Sequence, residues 1–401
     1  AILAQASLAQ GLLGARECGV LCLSMRPGVV AAALFARDTL AAVSPRYVTT
    51  PRFDAFAEAD AALSFFEDHG FVVYKAASAQ ELSQAWEFFW EYLEGLGTGV
   101  DRTNAATWTD RYWPSTRTHT GLLTFFGLGQ SDFLWHVRSL PRVQAAFASI
   151  WRTSELIVSF DGAAAFRFQD PSLYVSGDYW WHVDQNPRSQ PSFECVQGVV
   201  QLTATTPTTG GLVLIPGSHK LYPRFYEERY GELLDIMSPD HQHFGVPYWD
   251  GAFQEQLATS AVQPELEAGD LVVWNSTTLH CNFVGADFDM PRGRNRSARP
   301  LGRLAAYVAM APRAKASAEV LRRRKAAICE GATTTHWPQR FVSAEEHNAG
   351  MWHSLGESYR QRFQLPSTRG FSLAQLRLVG YTEEELASIA LGAGGRFECS
   401  D

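Results

Sequence analysis

The chain has 401 residues, 46% of them hydrophobic and 19% charged, enough apolar material for a large core and too much for a disordered or fibrous protein. Its 34 basic and 42 acidic residues give a net charge of −8, which argues against a nucleic-acid binder held by phosphate contacts. No apolar run is long enough to span a membrane. The six cysteines form no Cys-x-x-Cys pair, so neither a disulfide framework nor a structural zinc site is expected, and an intracellular, cytoplasmic setting is the default.

Residues 1–52 carry Arg16, Arg26, Arg37, Arg46 and Arg52 against only Glu17 and Asp38. Spaced arginines with few acids fit an organelle-targeting segment, and a pair of packed N-terminal helices fits the same residues. From 53 to 401 the chain reads as one domain, with no repeat and no Gly/Ser linker. Helices are predicted over 55–68 and 78–96, the second opened by the capping box Ser78-Ala-Gln-Glu81. Between them Gly70-Phe-Val-Val-Tyr74 reads as a strand, and 131–152 as a further helix with a break near Pro141.

Beyond 155 the pattern changes. Leu156–Phe160, Val196–Leu202, Gly211–Ile215, Asp270–Trp274 and Leu304–Val308 are short β-rich runs bounded by Gly, Pro and Thr. An aromatic, partly helical excursion at about 221–262 interrupts them, and helices return from about 315 to 395, the last opened by Thr382-Glu-Glu-Glu385. A strand block at about 156–312 flanked by helices predicts a mainly β barrel or sandwich rather than alternating βαβ units. Neither GxGxxG nor GxxxxGK occurs, which excludes nucleotide enzymes of those types.

The segment Trp180-Trp181-His182-Val183-Asp184 holds the most informative chemistry. On a strand, His182 and Asp184 share a face. An imidazole and a carboxylate side by side, joined by a distant histidine, make the facial triad of non-haem Fe(II) oxygenases, with three positions left open. His280, following the run Glu267-Ala-Gly-Asp-Leu-Val-Val-Trp274, is the candidate third ligand. Such an oxygenase needs a buried arginine for the far carboxylate of a dicarboxylate co-substrate. Arg303, opening Leu304–Val308, is chosen over Arg292, Arg294, Arg296 and Arg299, which lie in a polar loop.

These stretches resemble the phytanoyl-CoA dioxygenase family of Fe(II)/2-oxoglutarate oxygenases: Trp181-His-Val-Asp-Gln185, Gly210-Gly-Leu-Val-Leu-Ile-Pro-Gly-Ser-His-Lys220, Ala268-Gly-Asp-Leu-Val-Val-Trp274 leading to His280, and Arg303. Gly127-Leu-Gly-Gln-Ser131 and Val158-Ser-Phe-Asp-Gly162 are similar to an uncharacterised branch of it. The resemblance spans about 55–315 and implies a double-stranded β-helix, a cupin-like jelly roll, with packed helices. It implies Fe(II) on His182, Asp184 and His280, and 2-oxoglutarate reaching Arg303, with O2 consumed and succinate and CO2 released as a small organic substrate is hydroxylated. Val183 stands where the family commonly has Gln, and the loop before Arg303 is long, which keeps Arg299 as an alternative anchor. Asp184 occupies the position where related halogenases carry a small residue, which favours C–H oxidation.

Gln169, Gln201 and Asn282 are further candidates for the co-substrate, and Trp181, Gln197 and Gln185 for the substrate. His219 and Cys281 read as structural, the pair His241 and His243 as a loop or substrate-side contact, and Arg322-Arg-Arg-Lys325 as a solvated face. The excursion at 221–262 and the aromatic residues at 100–125 are expected to form a lid. Two other classes fit the same pattern: a jelly-roll scaffold without turnover, whose mark would be a lost ligand, and a cupin-type metal enzyme with no need of Arg303. Nothing in the sequence speaks for or against a dimer.

Overall fold

The computed structural model describes residues 44–114, 121–167, 179–285, 301–364, 370–392 and 396–397. Gln169, Arg299 and the residues on which the targeting question turns lie outside that set.

Strands β1 (Arg46–Val48) and β2 (Arg52–Phe53) lead into helix α1 (Ala59–His69), β3 (Phe71–Lys75) and helix α2 (Ala79–Gly95). Strand β4 (Leu122–Leu123) precedes helices α3 (Asp132–Ser139) and α4 (Pro141–Trp151). The chain continues through β5 (Leu156–Val158), β6 (Ala163–Phe166), β7 (His182–Val183), β8 (Val196–Gln201) and β9 (Gly210–Leu214). Helices α5 (Arg224–Asp235) and α6 (Gly251–Ser260) bracket β10 (Phe244–Gly245), and β11 (Val262–Pro264), β12 (Asp270–Asn275), β13 (His280–Val284) and β14 (Arg303–Pro312) complete the sheets. Helix α7 (Ala318–Ala327) begins the C-terminal part.

Local chemistry explains the helices. Ser78 and Glu81 satisfy each other's backbone N–H groups at the start of α2, and Thr382 and Glu385 do the same at the last long helix. The predicted helix over 131–152 divides at Leu140, where Pro141 removes a donor and opens α4 as a first-turn residue.

Strands β1 to β14 form two sheets, and Phe371–Ser372 pairs separately with Arg396–Phe397. The larger runs β2-β3-β12-β8-β14-β6-β4, with β5 paired to the far end of β14, and the smaller runs β1-β11-β9-β13-β7-β10. Their alternation sets the layers. Val72, Tyr74, Leu271, Val273, Val196, Val200, Leu304 and Ala306 pack outward against the helices. Phe71, Val73, Val272, Trp274, Val199 and Ala305 point inward with Leu212, Leu214 and Val262 of the smaller sheet. A third cluster, including Tyr179, Trp181, Val183, Val213, Tyr226 and Phe253, buries the outer face of the smaller sheet beneath α5 and α6. This is the double-stranded β-helix arrangement with flanking helices.

Several expectations change. Residues before 53 already take part in the sheets: β1 and β2 pair with β11 and β3, and Arg52 bonds Asp270 while pairing with Glu267 at 2.6 Å. The residues of 221–262 that pack into the third cluster cover the outer face of a sheet, and Trp108, Trp113 and Phe125 lie in the helical core, so these aromatic residues serve packing rather than a lid. Arg324, expected in a solvated run, is fully buried and donates to the carbonyls of Val379, Pro338, Val158 and Leu378. Cys195 and Cys281 are free and buried, whereas Cys329 is disulfide-bonded, which the cysteine spacing did not indicate. Among the described residues no helix is long and apolar enough to cross a membrane.

Candidate metal centre and the recess around it

Strand β7 has only two residues, and its register decides the site. His182 lies directly opposite His280 across the β7–β13 pair. Their ring centroids are 4.3 Å apart. Asp184 follows as the chain leaves the strand, its N–H donating to the Ser276 carbonyl at 2.8 Å. The ligand atoms of His182, Asp184 and His280 all lie within 4.8 Å of one another, and the three residues are buried. His182 Nε2 is 3.6 Å from one Asp184 oxygen, and His280 Nε2 is 3.2 Å from the other.

Each ring is oriented by its own backbone. Nδ1 of His182 contacts the Trp180 carbonyl at 2.9 Å, and Nδ1 of His280 the Thr278 carbonyl at 2.8 Å. A carbonyl only accepts, so each Nδ1 carries the proton and each Nε2 presents a bare lone pair toward Asp184. That is the tautomer and orientation a metal requires of imidazole. Trp180 stacks on His182 with 4.4 Å between centroids, and Trp274 lies 5.3 Å from His280.

The charges fit the same use. Burial, helped by neighbouring His280, pulls the His182 pKa down to about 3, so the ring stays neutral. Burial opposes ionisation of Asp184, but His182, His336 and His280 around it outweigh that and hold its carboxyl well below the usual range. Gln197 on β8 donates from Nε2 to Asp184 Oδ2 at 2.8 Å. Gln197→Leu is expected to weaken metal binding about 10- to 100-fold, as loss of a hydrogen bond that orients a ligand does. Isothermal titration of the metal-free protein with Co(II) checks this, and unchanged affinity would release Gln197 from that role.

A second polar group lies inside the sheets. Arg303, at the start of β14, is fully buried with no acidic partner among the described residues; Nη1 donates to Asn282 Oδ1 at 3.3 Å, and Nε has no hydrogen-bond partner there. Asn282 Nδ2 in turn donates to the Tyr307 hydroxyl at 3.3 Å. Gln201 is fully buried with neither side-chain atom paired. Buried polar atoms left unpaired are rare and call for a ligand.

The remaining candidates separate by position. Trp181 packs in the outer cluster, stacked on Tyr179, because its strand face is opposite to that of His182. Gln185 is structural as well: it donates to the Gln190 and Ser192 carbonyls and accepts from Ser276 and Glu194. Neither faces the ligands, contrary to their choice as substrate contacts. His219 bonds the Glu67 carbonyl at 3.0 Å, a structural role. His243 contacts His241 and His347, with ring centroids 4.7 Å and 6.1 Å apart, but His182, Asp184 and His280 are the metal-capable group among the described residues.

Sequence reading missed Asp161, Tyr307 and His336, all partly accessible although protein packs closely around them. They come from three separate segments, and although Asp161 lies in the Val158–Gly162 stretch, no spacing links it to the other two.

Burial lowers the pKa values of His243 and His336 to about 4, against 6.5 for an exposed histidine. Between pH 6.5 and 4 the unfolded chain therefore binds protons that these two rings and His182 refuse, and stability falls as the pH falls through that window. Asp161, raised to about 6 from 3.8, acts in the opposite sense, as one group against three. The denaturation midpoint of the metal-free protein is expected to drop between pH 6.5 and 4.5. A flat profile would contradict neutral burial of the histidines.

Comparisons with known proteins bear on this geometry. The family model for phytanoyl-CoA dioxygenase (PhyH) matches residues 66–281, more than half of the chain. A relative from Aspergillus versicolor, Ava biosynthesis cluster protein O, is 29% identical over 288 residues, covering 71% of this chain and 87% of the relative. Among solved structures, EctD from S. alaskensis with 2-oxoglutarate and 5-hydroxyectoine aligns with a TM-score of 0.41 at 14% identity, over 69% of this chain and 82% of EctD. The 2-oxoglutarate-dependent epimerase SnoN from nogalamycin biosynthesis aligns at 0.34 and 17%, over 63% and 82% of the two chains.

Proposed function

The chain belongs to the phytanoyl-CoA dioxygenase family and is an Fe(II)/2-oxoglutarate-dependent oxygenase, and from that premise we propose that it hydroxylates an unactivated C–H bond of a small organic substrate. One observation carries the reading. Two histidines with bare Nε2 atoms and an ionised carboxylate converge inside the same pair of sheets that buries Arg303 without an acid partner.

The residues fit both groups. His182, Asp184 and His280 would hold iron, offering two neutral nitrogens and one oxygen donor, a set suited to a divalent transition metal. Arg303 would take the far carboxylate of 2-oxoglutarate, with Gln201 and Asn282 as further polar contacts, since a buried guanidinium lacking an anion is otherwise costly. With both bound, the pair supplies the oxidising chemistry, consuming O2 and releasing succinate and CO2. The chain's own residues orient and exclude. Carbonyls of Trp180 and Thr278 fix the imidazole tautomers, Gln197 fixes the carboxylate, and Trp180 and Trp274 shield the rings from water. Asp184 provides a third protein ligand, which keeps a carboxylate where a halide would otherwise need room and favours hydroxyl as the group delivered.

The test is anaerobic titration of the metal-free protein with Fe(II) and then 2-oxoglutarate, followed by the weak visible charge-transfer absorption of the chelate. A saturable band is expected. Iron binding without a band would sink the co-substrate role and favour a cupin-type metal enzyme; no iron binding would favour a scaffold. Hydroxylation is then tested by mass spectrometry of products from compounds that stimulate succinate release. Products lacking the added oxygen would point to desaturation or cyclisation.

A further inference from the structure

The recess holds one acid that neither the metal ligands nor the arginine uses. Asp161 lies on the loop between β5 and β6, and the loop is gripped from several sides. Phe160 exchanges hydrogen bonds with Thr334, its N–H donating to Oγ1 at 3.0 Å and its carbonyl accepting the Thr334 N–H at 2.8 Å. The Gly162 carbonyl accepts the Tyr307 N–H at 3.0 Å. Gly162 is obligatory here, because a Cβ would fall 1.9 Å from the Leu123 carbonyl oxygen. The position of the carboxyl is therefore fixed by its backbone.

The carboxylate itself is poorly satisfied. Oδ1 accepts the Gly162 N–H at 2.7 Å. Buried Arg138 gives its guanidinium to two main-chain carbonyls, those of Gly129 at 2.6 Å and Asp161 at 2.5 Å, rather than to the carboxylate. Burial then raises the Asp161 pKa to about 6, Arg138 offsetting part of this and the Asp184 charge adding to it. Tyr307 joins this loop to the centre already described: its N–H donates to the Gly162 carbonyl, and its hydroxyl accepts from Asn282, which also holds Arg303. The loop that grips Phe160 also carries His336, whose Nε2 is buried without a partner. This loop lies beyond residues 66–281, the part of the chain that matches the family.

We propose that Asp161 anchors the organic substrate, accepting a hydrogen bond from a hydroxyl or protonated amine presented in the recess it shares with Asp184 and Tyr307. The assignment rests on the oxygenase reading above. A partly accessible carboxylate in a fixed place, short of donors, discriminates strongly for a ligand that brings one, because an apolar analogue leaves it unpaired. The positive charge of Arg138 behind it keeps the carboxylate ionised without occupying its free acceptor sites.

The experiment uses the Fe(II)·2-oxoglutarate complex under argon, with toluene, benzyl alcohol and benzylamine as matched probes. Their dissociation constants are read from perturbation of the visible chelate band. Wild type is expected to bind the alcohol or the amine at least about 10-fold more tightly than toluene, the scale of a hydrogen bond to a charged group. Asp161→Leu should bring all three to the toluene value while 2-oxoglutarate binding stays unchanged. Asp161→Asn keeps the acceptor for Gly162 and removes the charge. An advantage retained by the alcohol in this variant assigns a hydroxyl, and an advantage lost by the amine assigns an ammonium group. Equal binding of the three probes by wild type, binding of none, or a preference that survives Asp161→Leu overturns the assignment. Should Asp161→Leu not fold, Asp161→Ala, which also removes the acceptor, takes its place under the same criteria. Absence of the chelate band in wild type is a different failure, of the oxygenase reading itself.

Discussion

Arg303→Met is expected to raise the dissociation constant of 2-oxoglutarate by roughly 30- to several-thousand-fold, the 2–5 kcal/mol lost when one partner of a buried charge pair is truncated. Iron binding should survive, because Arg303 contacts Asn282 and none of the three ligands. The folded protein without co-substrate should be as stable as wild type or more so. Its guanidinium is buried with no acid beside it, and an apolar chain of similar length removes that desolvation cost. Anaerobic titration with 2-oxoglutarate together with thermal denaturation checks both halves. An unchanged dissociation constant would pass the anchoring role to Arg299.

His280→Ala, and separately His182→Ala, should lower iron affinity by more than the 100-fold upper range of an orienting residue and take substrate-dependent succinate release below detection. Two ligands from one face leave the metal held by solvent. Co(II) titration and succinate assays measure the effect. Retention of tight metal binding by either variant would remove that histidine from the ligand set.

Much of this centre is legible in the sequence because its geometry is local. His182 and Asp184 are two residues apart around a short strand, and Gly269-Asp270 announces the strand that delivers the chain toward His280. Arg303 was chosen for its place at the head of a β-rich run, and the structure buries it between the sheets. The short β-rich runs Phe71–Tyr74 and Leu271–Trp274 revealed strands, but not that β3 and β12 lie side by side, since pairing is a long-range property. Six-residue β8 carries three inward residues, and the sequence did not say which does what. Gln197 bonds Asp184 while Gln201 is left unpaired, a difference of one strand turn that only the facing sheet decides. Trp181 and Gln185 lie away from the ligands for reasons of side: one packs on the outer sheet face, and the other is hydrogen-bonded within a turn. Asp161 sat within the Val158–Gly162 stretch, but nothing in that resemblance gave it a role. Arg324, embedded in a basic run, looked solvated because charge runs generally are, and four carbonyls overrode that.

The cage around Arg324 makes the tail inseparable from the catalytic half of the molecule. Its guanidinium holds the Val158 carbonyl at 2.6 Å, just before the loop that bears Asp161. Thr333 and Thr334 extend the hold to Gly129 and Phe160, and Gln339 and Arg340 grip Glu194 just ahead of β8. A chain cut after Pro312 would keep every metal ligand and Arg303 yet lose all of these struts. The modular boundary suggested by the family-matched region is thus not a mechanical one. Exchange of the tail for a different sequence is a way to reshape the chamber while its iron-binding wall stays untouched.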